Sequence, residues 1–399
     1  MKTHLLVFLA FFLPLSLLAQ DPHFSQFFAN RVYLNPAYAG FDPGWTLTLN
    51  YRNQWFGIPD GDLSTFGEGY RTYQATADVQ IPCMFGLEDI NSGVAVSVFR
   101  DEAGGAPLVT QGAAVAFSFE QPLMQGRGGS GFLNLTRLDL RVGGQLSWMQ
   151  KTLSGRYFLF SDQLDPVIGI IEDPTVLQLN SPWFPNLNVG VMLRGNRYRS
   201  KNQQSLFTVG FALSNVNRPD ESIRDVTQVS RPPVRTTFHL GTTHRIARFG
   251  RSRAPAYIAP QFRWDSQSSF RLNVQTLGAY VFSKGYYGGL FVQYNFPAAS
   301  DSLFIEASNH FLFKNTTTLI LNAGIDLRSV LDWHEPWHRR DSGLVLGLTY
   351  DLNLTGLTSN NTLGVLELTL RMNIATRTPR NCGEIGAFEL YDGQCPIRF

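Results

Sequence analysis

The sequence predicts an all-β chain: a transmembrane antiparallel β-barrel of about 14 strands, within a range of about 12–16, with an N-terminal plug-like segment. Three observations carry this. Segment after segment alternates apolar and polar side chains with period 2, which a 3.6-residue helical turn would smear round its circumference. Beyond the first apolar run, no stretch offers the roughly 18 consecutive apolar residues a spanning helix needs. The 399 residues are only 16% charged, where about a quarter is usual, and 13% aromatic, with 31 phenylalanines.

The chain opens on a basic head, Lys2 and His4, an apolar run from Leu5 to Leu18 broken at Pro14, and Ala19 before Gln20. That is the layout of a cleaved export signal, residues 1–19. The run is short of the roughly 20 residues of an anchor helix, and no cysteine follows the cut to take a lipid. The mature chain is expected to begin near Gln20 and to be exported to an outer membrane.

Residues 20–43 form a distinct segment. Between Asp21 and Gly40 it holds three phenylalanines and two tyrosines among His23, Ser25, Gln26, Asn30 and Asn35, with one Asn35-Pro36 turn. It is too polar to cross a bilayer and has no helical stripe. Such a mixture of rings and amides needs a wall to lean on, and a barrel interior can supply one.

Residues 44–375 are expected to form the barrel. Trp45, Leu47, Leu49 and Tyr51 alternate with Thr46, Thr48, Asn50 and Arg52; Leu346, Leu348, Tyr350 and Leu352 alternate with Gly347, Thr349, Asp351 and Asn353. The same pattern runs through 207–214, 319–326 and 366–373. Further candidates fill 70–81, 93–100, 109–121, 132–150, 188–198, 236–246, 256–264, 270–282, 289–296 and 303–313. The segments 132–150 and 270–282 change phase midway, which reads as a bulge or a misplaced boundary. About fifteen candidates result, and a single-chain barrel favours an even number.

A soluble β-sandwich also alternates, but three features favour the membrane. Many segments are longer than the usual strand of about 5 or 6 residues. Their ends carry rings suited to a headgroup belt: Trp45, Trp55, Tyr70, Tyr73, Trp148, Tyr198, Tyr257, Trp264, Tyr286, Tyr287, Tyr294 and Phe296. Their polar faces carry both charge signs, at Arg52, Asp139, Arg141, Arg194, Asp326, Asp351, Glu367 and Arg371, which a sandwich core could not hold. With no partner for an edge N–H in lipid, the sheet must close on itself.

With a periplasmic start, the long connections 53–69, 153–187 and 215–234 all fall on the outer side. The second is rich in apolar and aromatic residues, so it folds over the barrel mouth, meets a partner or packs on neighbouring loops; Asp162, Gln163, Asp165 and Trp183 are its candidate contact residues. The basic cluster Arg194, Arg197, Arg199 and Lys201 reads as a solvated turn. Residues 376–399 form a C-terminal tail or the last strand. Of Cys83, Cys382 and Cys395, the pair Cys382–Cys395 is the nearer in sequence and the candidate disulfide, with connectivity left open.

Two motifs invite over-reading. His334-Glu335-Pro336-Trp337-His338 matches H-E-x-x-H, but Pro336 breaks the helix a zinc site requires. Gly126 to Gly131 matches G-x-G-x-x-G, but a strand follows where a dinucleotide site needs a helix, so the block reads as a hairpin turn. His239 and His244 fall on opposite faces of one strand. No catalytic constellation, metal site or cofactor is expected, and a net charge of +2 implies no affinity for nucleic acid.

Four places, His23-Phe24-Ser25-Gln26, Leu34-Asn35-Pro36-Ala37 with Gly40, Ser161–Pro166, and Cys395–Phe399, resemble the PorP/SprF family of outer-membrane barrels of the type IX secretion system. The last departs from a tighter family-like ending by the extra Ile397. The resemblance implies a non-catalytic barrel supporting export or surface anchoring of specific cargo proteins, gliding adhesins among them, alongside other secretion components. The rival expectation is a plugged outer-membrane channel or hydrophobic-solute transporter.

Overall fold

The computed structural model describes residues 23–56, 69–81, 91–103, 108–130, 135–154, 164–165, 169–170, 178–200, 203–223, 229–249, 254–267, 272–283, 285–295, 317–327, 330, 343–354 and 363–374. A single helical turn, α1 (Arg31–Leu34), and a 3-10 turn (Pro36–Tyr38) precede the strands. These are β1 (Trp45–Gln54), β2 (Tyr70–Ile81), β3 (Asn91–Ala103), β4 (Leu108–Ser130), β5 (Leu135–Ser154), the short β6 (Leu164–Asp165), β7 (Gly169–Ile170) and β8 (Gln178–Asn180), then β9 (Phe184–Ser200), β10 (Gln203–Ser214), β11 (Arg235–Phe249), β12 (Ala254–Gln267), β13 (Leu272–Ser283), β14 (Tyr286–Asn295), β15 (Thr317–Asp326), β16 (Gly343–Asn353) and β17 (Val365–Ile374).

Each long strand pairs antiparallel with its neighbours in sequence, and β5 pairs directly with β9 across the intervening short strands. The ladder closes where β1 meets β17, unbroken from Trp45↔Ile374 to Gln54↔Val365. β8 adds only a three-pair edge to β5, and β6 pairs with β7 apart from the sheet, so a closed antiparallel barrel of 14 strands results. Closure leaves no row of unpaired N–H and C=O groups, which is what permits an apolar exterior.

The period-2 pattern sets the two faces. On β1, Trp45, Leu47 and Leu49 point outward while Thr46, Thr48, Asn50 and Arg52 are buried. On β17, Leu368 and Met372 face out while Glu367, Thr369, Arg371 and Asn373 are buried. One sector departs from this division. β13, β14 and β15 turn Tyr280, Phe282, Tyr287, Phe291 and Ile320 inward, so part of the inner wall is apolar.

Several expectations need correction. Tyr257 and Tyr287 are buried inward rather than placed in an outer belt, because the register of β12 and β14 puts them on the inner face. Arg194 is likewise buried mid-strand in β9, not at a solvated turn. The backbone of 126–130 continues β4, with its ladder to β5 irregular between Gln125 and Ser130. The phase change read in 270–282 is no bulge: β13 begins at Leu272 and pairs evenly on both sides, and apolar residues face both inward (Val274, Tyr280, Phe282) and outward (Leu277, Val281). In 132–150 the strand begins at Leu135 and the register shift lies opposite it, between Pro122 and Met124. β14 pairs directly with β15, and the candidate 303–313 lies outside the described residues. Residues 375–399 and all three cysteines lie outside them too, as does the 334–338 motif.

The two ends of the barrel differ. Connections 55–69, 155–183, 215–234, 296–316 and 354–364 leave one end, with the shorter 104–107 and 268–271. At the other end 131–134, 201–202, 250–253 and 284–285 are short, and 82–90 and 327–342 are longer. The long-connection end carries ordered structure of its own. Asn215 takes a left-handed backbone (φ 59) and accepts from the Asn186 amide at 2.7 Å, and Lys151 pairs with Glu221 at 2.7 Å.

Leu277, mid-way along β13, is 61% exposed on the outer face. Leu277→Arg is expected to destabilise the protein in lipid vesicles by about 2–4 kcal/mol, the cost of a midplane charge. Urea unfolding followed by tryptophan fluorescence checks it, with a result within 0.5 kcal/mol of wild type counting against the assignment of faces.

Candidate functional site

The densest constellation of buried polar groups surrounds residues 23–44. This segment has little regular structure to stabilise it alone, since a single helical turn is far below the length that persists in water. Local chemistry sets its one sharp feature. Asn35 is extended (φ −157, ψ 121), its side-chain oxygen accepts from the Ala37 N–H at 2.9 Å, and Pro36 occupies the first position of the 3-10 turn, where no N–H is needed. The rest is set by inward-facing residues of the strands together with contacts inside the segment, such as Arg31 with Asp42 and Phe24 with Tyr33.

Near its start the segment meets a carboxylate niche. The N–H groups of Ser25 and Gln26 donate to the two oxygens of Glu367, at 2.8 and 3.1 Å, and the Ser25 hydroxyl donates to Asp351 at 2.5 Å. Arg52 lies among them, 2.7 Å from Ser25 Oγ, 3.1 Å from Glu367 and 3.4 Å from Asp351. Two carboxylates facing one guanidinium leave an excess of acceptors, which the two main-chain N–H groups meet at Glu367 and the Ser25 hydroxyl meets at Asp351 Oδ2, while Asp351 Oδ1 keeps no partner among the described residues. Alongside, Arg263 donates to the Phe24 carbonyl at 3.1 Å and pairs with Asp265, while His23 Nε2 lies 3.2 Å from Gln293 Oε1.

The middle of the segment meets the apolar sector. The Phe28 ring lies 4.2 Å from Tyr280, and Phe27 stands edge-on to Phe291 at 6.0 Å. These rings form one buried cluster with Phe282, Tyr287 and Ile320. Pairs in such geometry contribute about 0.5–1.5 kcal/mol each beyond the area they bury.

The Asn35 turn meets a third region. The Asn35 amide reaches the carbonyls of Val191 and Phe211, at 3.1 and 3.4 Å, and His239 Nε2 at 3.1 Å. Arg141, fully buried, donates to the carbonyls of Ala37 and Ala39, at 2.9 and 2.7 Å, and pairs with Glu120, which also faces Arg137 at 3.3 Å. The Phe41 ring lies under three guanidinium groups, Arg194 at 4.7 Å, Arg31 at 4.9 Å and Arg141 at 5.6 Å. Asp42 joins Arg31 (3.1 Å) to Arg371, and Asp78 accepts from the Gly40 N–H at 3.1 Å. Isolated buried ions would cost several kcal/mol each, so this interior depends on close pairing.

Close approach of backbones is the other requirement. Gly40 has φ +59, and a Cβ there would strike the Cα of Gly93 and the carbonyl of Val79. A Cβ on Gly93 would strike Ala39, one on Gly143 the Pro36–Ala37 peptide, and one on Gly190 the Asn35 side chain. Glycine at these inward positions lets the segment lie directly against the wall.

A family model described as "Type IX secretion system membrane protein PorP/SprF" matches residues 16–372. The chain belongs to the PorP/SprF family. No curated protein matches it. Similar solved structures include a FadL homologue of Pseudomonas aeruginosa, at 11% identity over 85% of this chain and 91% of that one, TM-score 0.40. The toluene transporter TbuX of Ralstonia pickettii is 9% identical over 87% of this chain and 93% of that one, TM-score 0.41. The monoaromatic hydrocarbon channel CymD is 11% identical over 86% and 91%, TM-score 0.39. Scores this low carry no argument about this chain. The PorP/SprF family and the closed barrel together make it an outer-membrane barrel associated with type IX secretion, in a family of secretion rather than catalytic proteins.

The eight residues on which the resemblance was read lie together in the segment. His23, Phe24, Ser25 and Gln26 line its start, and Asn35, Pro36, Ala37 and Gly40 its turn; Gln26, Asn35 and Ala37 are fully buried. The candidate loop residues that the structure describes are not brought to them. Trp183 is exposed just before β9, Asp165 contributes backbone to β6, and Asp162 and Gln163 lie outside the described residues. Sequence reasoning placed Arg52, Arg141, Asp351 and Glu367 on polar faces without seeing what they hold. It missed the glycines, whose signal was available: Gly93, Gly143, Gly190 and Gly210 all fall at strand positions where a polar side chain would otherwise face inward.

Glu367→Gln is expected to weaken the hold on the segment by about 1.5–3 kcal/mol, the range for hydrogen bonds to a charged group. Gly93→Val, which drives a side chain into the Ala39 carbonyl, should release the segment to limited proteolysis while leaving heat-modifiable gel mobility intact. Equal protection of the segment in wild type and Gly93→Val would contradict the packing.

Proposed function

We propose that this PorP/SprF barrel supports export or surface anchoring of specific cargo proteins, gliding adhesins among them in motile cells, and that it works without catalysis. In this reading residues 1–19 are removed after export, residues 20–43 stay in the lumen as a plug, and the apolar outer face sits in outer-membrane lipid. The long connections face the cell exterior, where Asp162, Gln163, Asp165 and Trp183 are available to a protein partner.

The observation that supports the reading is the set of contacts between residues 23–44 and the inner wall. Main-chain and side-chain atoms of residues 23–44 engage inward residues of strands all round the barrel. The cavity left beside Asn30, Asp42 and Asp78 is about 20 Å³, room for a water or so. A lumen so occupied suits a protein-binding role better than a diffusion pore.

Deleting the gene should abolish export or surface retention of at least one type IX cargo; a full complement of cargo at the surface would refute the proposal. Purified protein in liposomes should show neither swelling nor steady conductance, and solute-selective swelling would favour the channel. Val229, 62% exposed in the connection after β10, tests orientation. Val229→Cys should react with a membrane-impermeant maleimide on intact cells well above the wild-type background, and labelling only after outer-membrane disruption would reverse the barrel.

A further inference from the structure

The inner wall grips the main chain of residues 24–43 at several points. Glu367 takes the N–H groups of Ser25 and Gln26, and Asp78 takes that of Gly40. Arg263 binds the Phe24 carbonyl, and Arg141 those of Ala37 and Ala39, the latter shared with Ser118 at 2.7 Å. The wall residues that do this come from β2, β4, β5, β12 and β17, and each is itself buried. Charged groups aimed at peptide N–H and C=O recognise a polypeptide of many sequences, as strand addition does at a sheet edge. Side chains are read as well: the aromatic sector takes Phe27 and Phe28, the Val191, Phe211 and His239 cluster takes the Asn35 amide, Asp351 and Arg52 take the Ser25 hydroxyl, and Arg371 takes the Asp42 carboxylate.

The segment folds on itself through the Arg31–Asp42 pair at 3.1 Å, the Arg31 bond to the Phe28 carbonyl and the Phe24–Tyr33 ring contact, but its regular structure is slight. Its single helical turn has no side-chain N-cap, because the Asn30 amide is turned to Gln74 instead. The wall, by contrast, keeps its own charge pairs with the segment taken away: Arg52 with Asp351 and Glu367, Arg141 with Glu120, and Arg263 with Asp265. Those pairs persist when the site is vacant, whereas Arg371 gives up the Asp42 carboxylate that the segment supplies.

We propose that the lumen wall is a peptide-binding site whose resident ligand is the chain's own N-terminal segment, and that it accepts a polypeptide segment supplied by another chain when the resident one is weakened. The incoming segment would carry two adjacent aromatic residues followed, about seven positions on, by an amide side chain at a turn, the spacing that Phe27, Phe28 and Asn35 display. That the natural donor is an exported partner rests on the function proposed above; the binding itself does not.

The test uses full-length protein in detergent carrying Phe27→Ala, Phe28→Ala and Asn35→Ala, and a fluorescently labelled synthetic peptide of residues 22–43. Anisotropy should show saturable binding to this variant, at least about tenfold weaker binding once Glu367→Gln is added, and little binding to wild type, whose site is filled. A scrambled peptide should bind at least about tenfold more weakly than the native sequence. No saturable binding to a variant with wild-type circular dichroism and heat-modifiable mobility would overturn the proposal, as would equal binding of the scrambled peptide. Should the triple variant fail to fold, hydrogen exchange in wild type decides: excess unlabelled peptide should speed exchange at Ser25, Gln26 and Gly40, and unchanged rates would overturn it. Neither readout involves secretion, so failure here is separable from failure of the cargo role.

Discussion

The closed hydrogen-bond ladder is the constraint from which the other features follow. Once β1 and β17 join, the sheet keeps no open edge, its strands pair on both sides, and the outer face is free to be apolar. The same closure traps the inner face in a narrow space shielded from bulk water. Each polar side chain pointing inward must then find a partner from the opposite wall or from whatever lies between. Arg141 shows the result, with Glu120 on one side and two carbonyls of the segment on the other.

Charge and aromatic surface share that interior unequally. The carboxylate and guanidinium groups gather on β16, β17, β1 and β2 and again on β4, β5 and β9, while β13 to β15 present rings. The segment matches this division along its length, with N–H groups toward the acids, phenylalanines toward the rings, and carbonyls toward Arg141 and Arg263. The fit is chemical at every contact, and it explains how a chain with almost no secondary structure of its own takes one conformation.

Much of the barrel was legible because period 2 is a direct consequence of strand geometry. β2 was read with its observed boundaries, and the inward sets on β1, β16 and β17 were read residue by residue. The failures cluster where the inner face is itself apolar. Tyr257 and Tyr287 look like belt residues because hydrophobicity alone cannot tell lipid from a packed interior. Boundaries of β4 and β13 slipped where glycines and a register shift blur the alternation. Of the candidate site, the signature residues were visible as a block, but their partners lie hundreds of positions away, as Ser25 and Glu367 do, and no local pattern announces a contact of that separation.

The seam between β1 and β17 has a kinetic corollary. It unites the first and last strands, so the cylinder cannot shut until the whole chain is present, and such long-range pairing is intrinsically slow. The segment beside it touches strands drawn from both halves of the sequence, from Asp78 to Glu367. It is therefore positioned to be enclosed as the cylinder rolls up, a mandrel around which the last ribbons are wound.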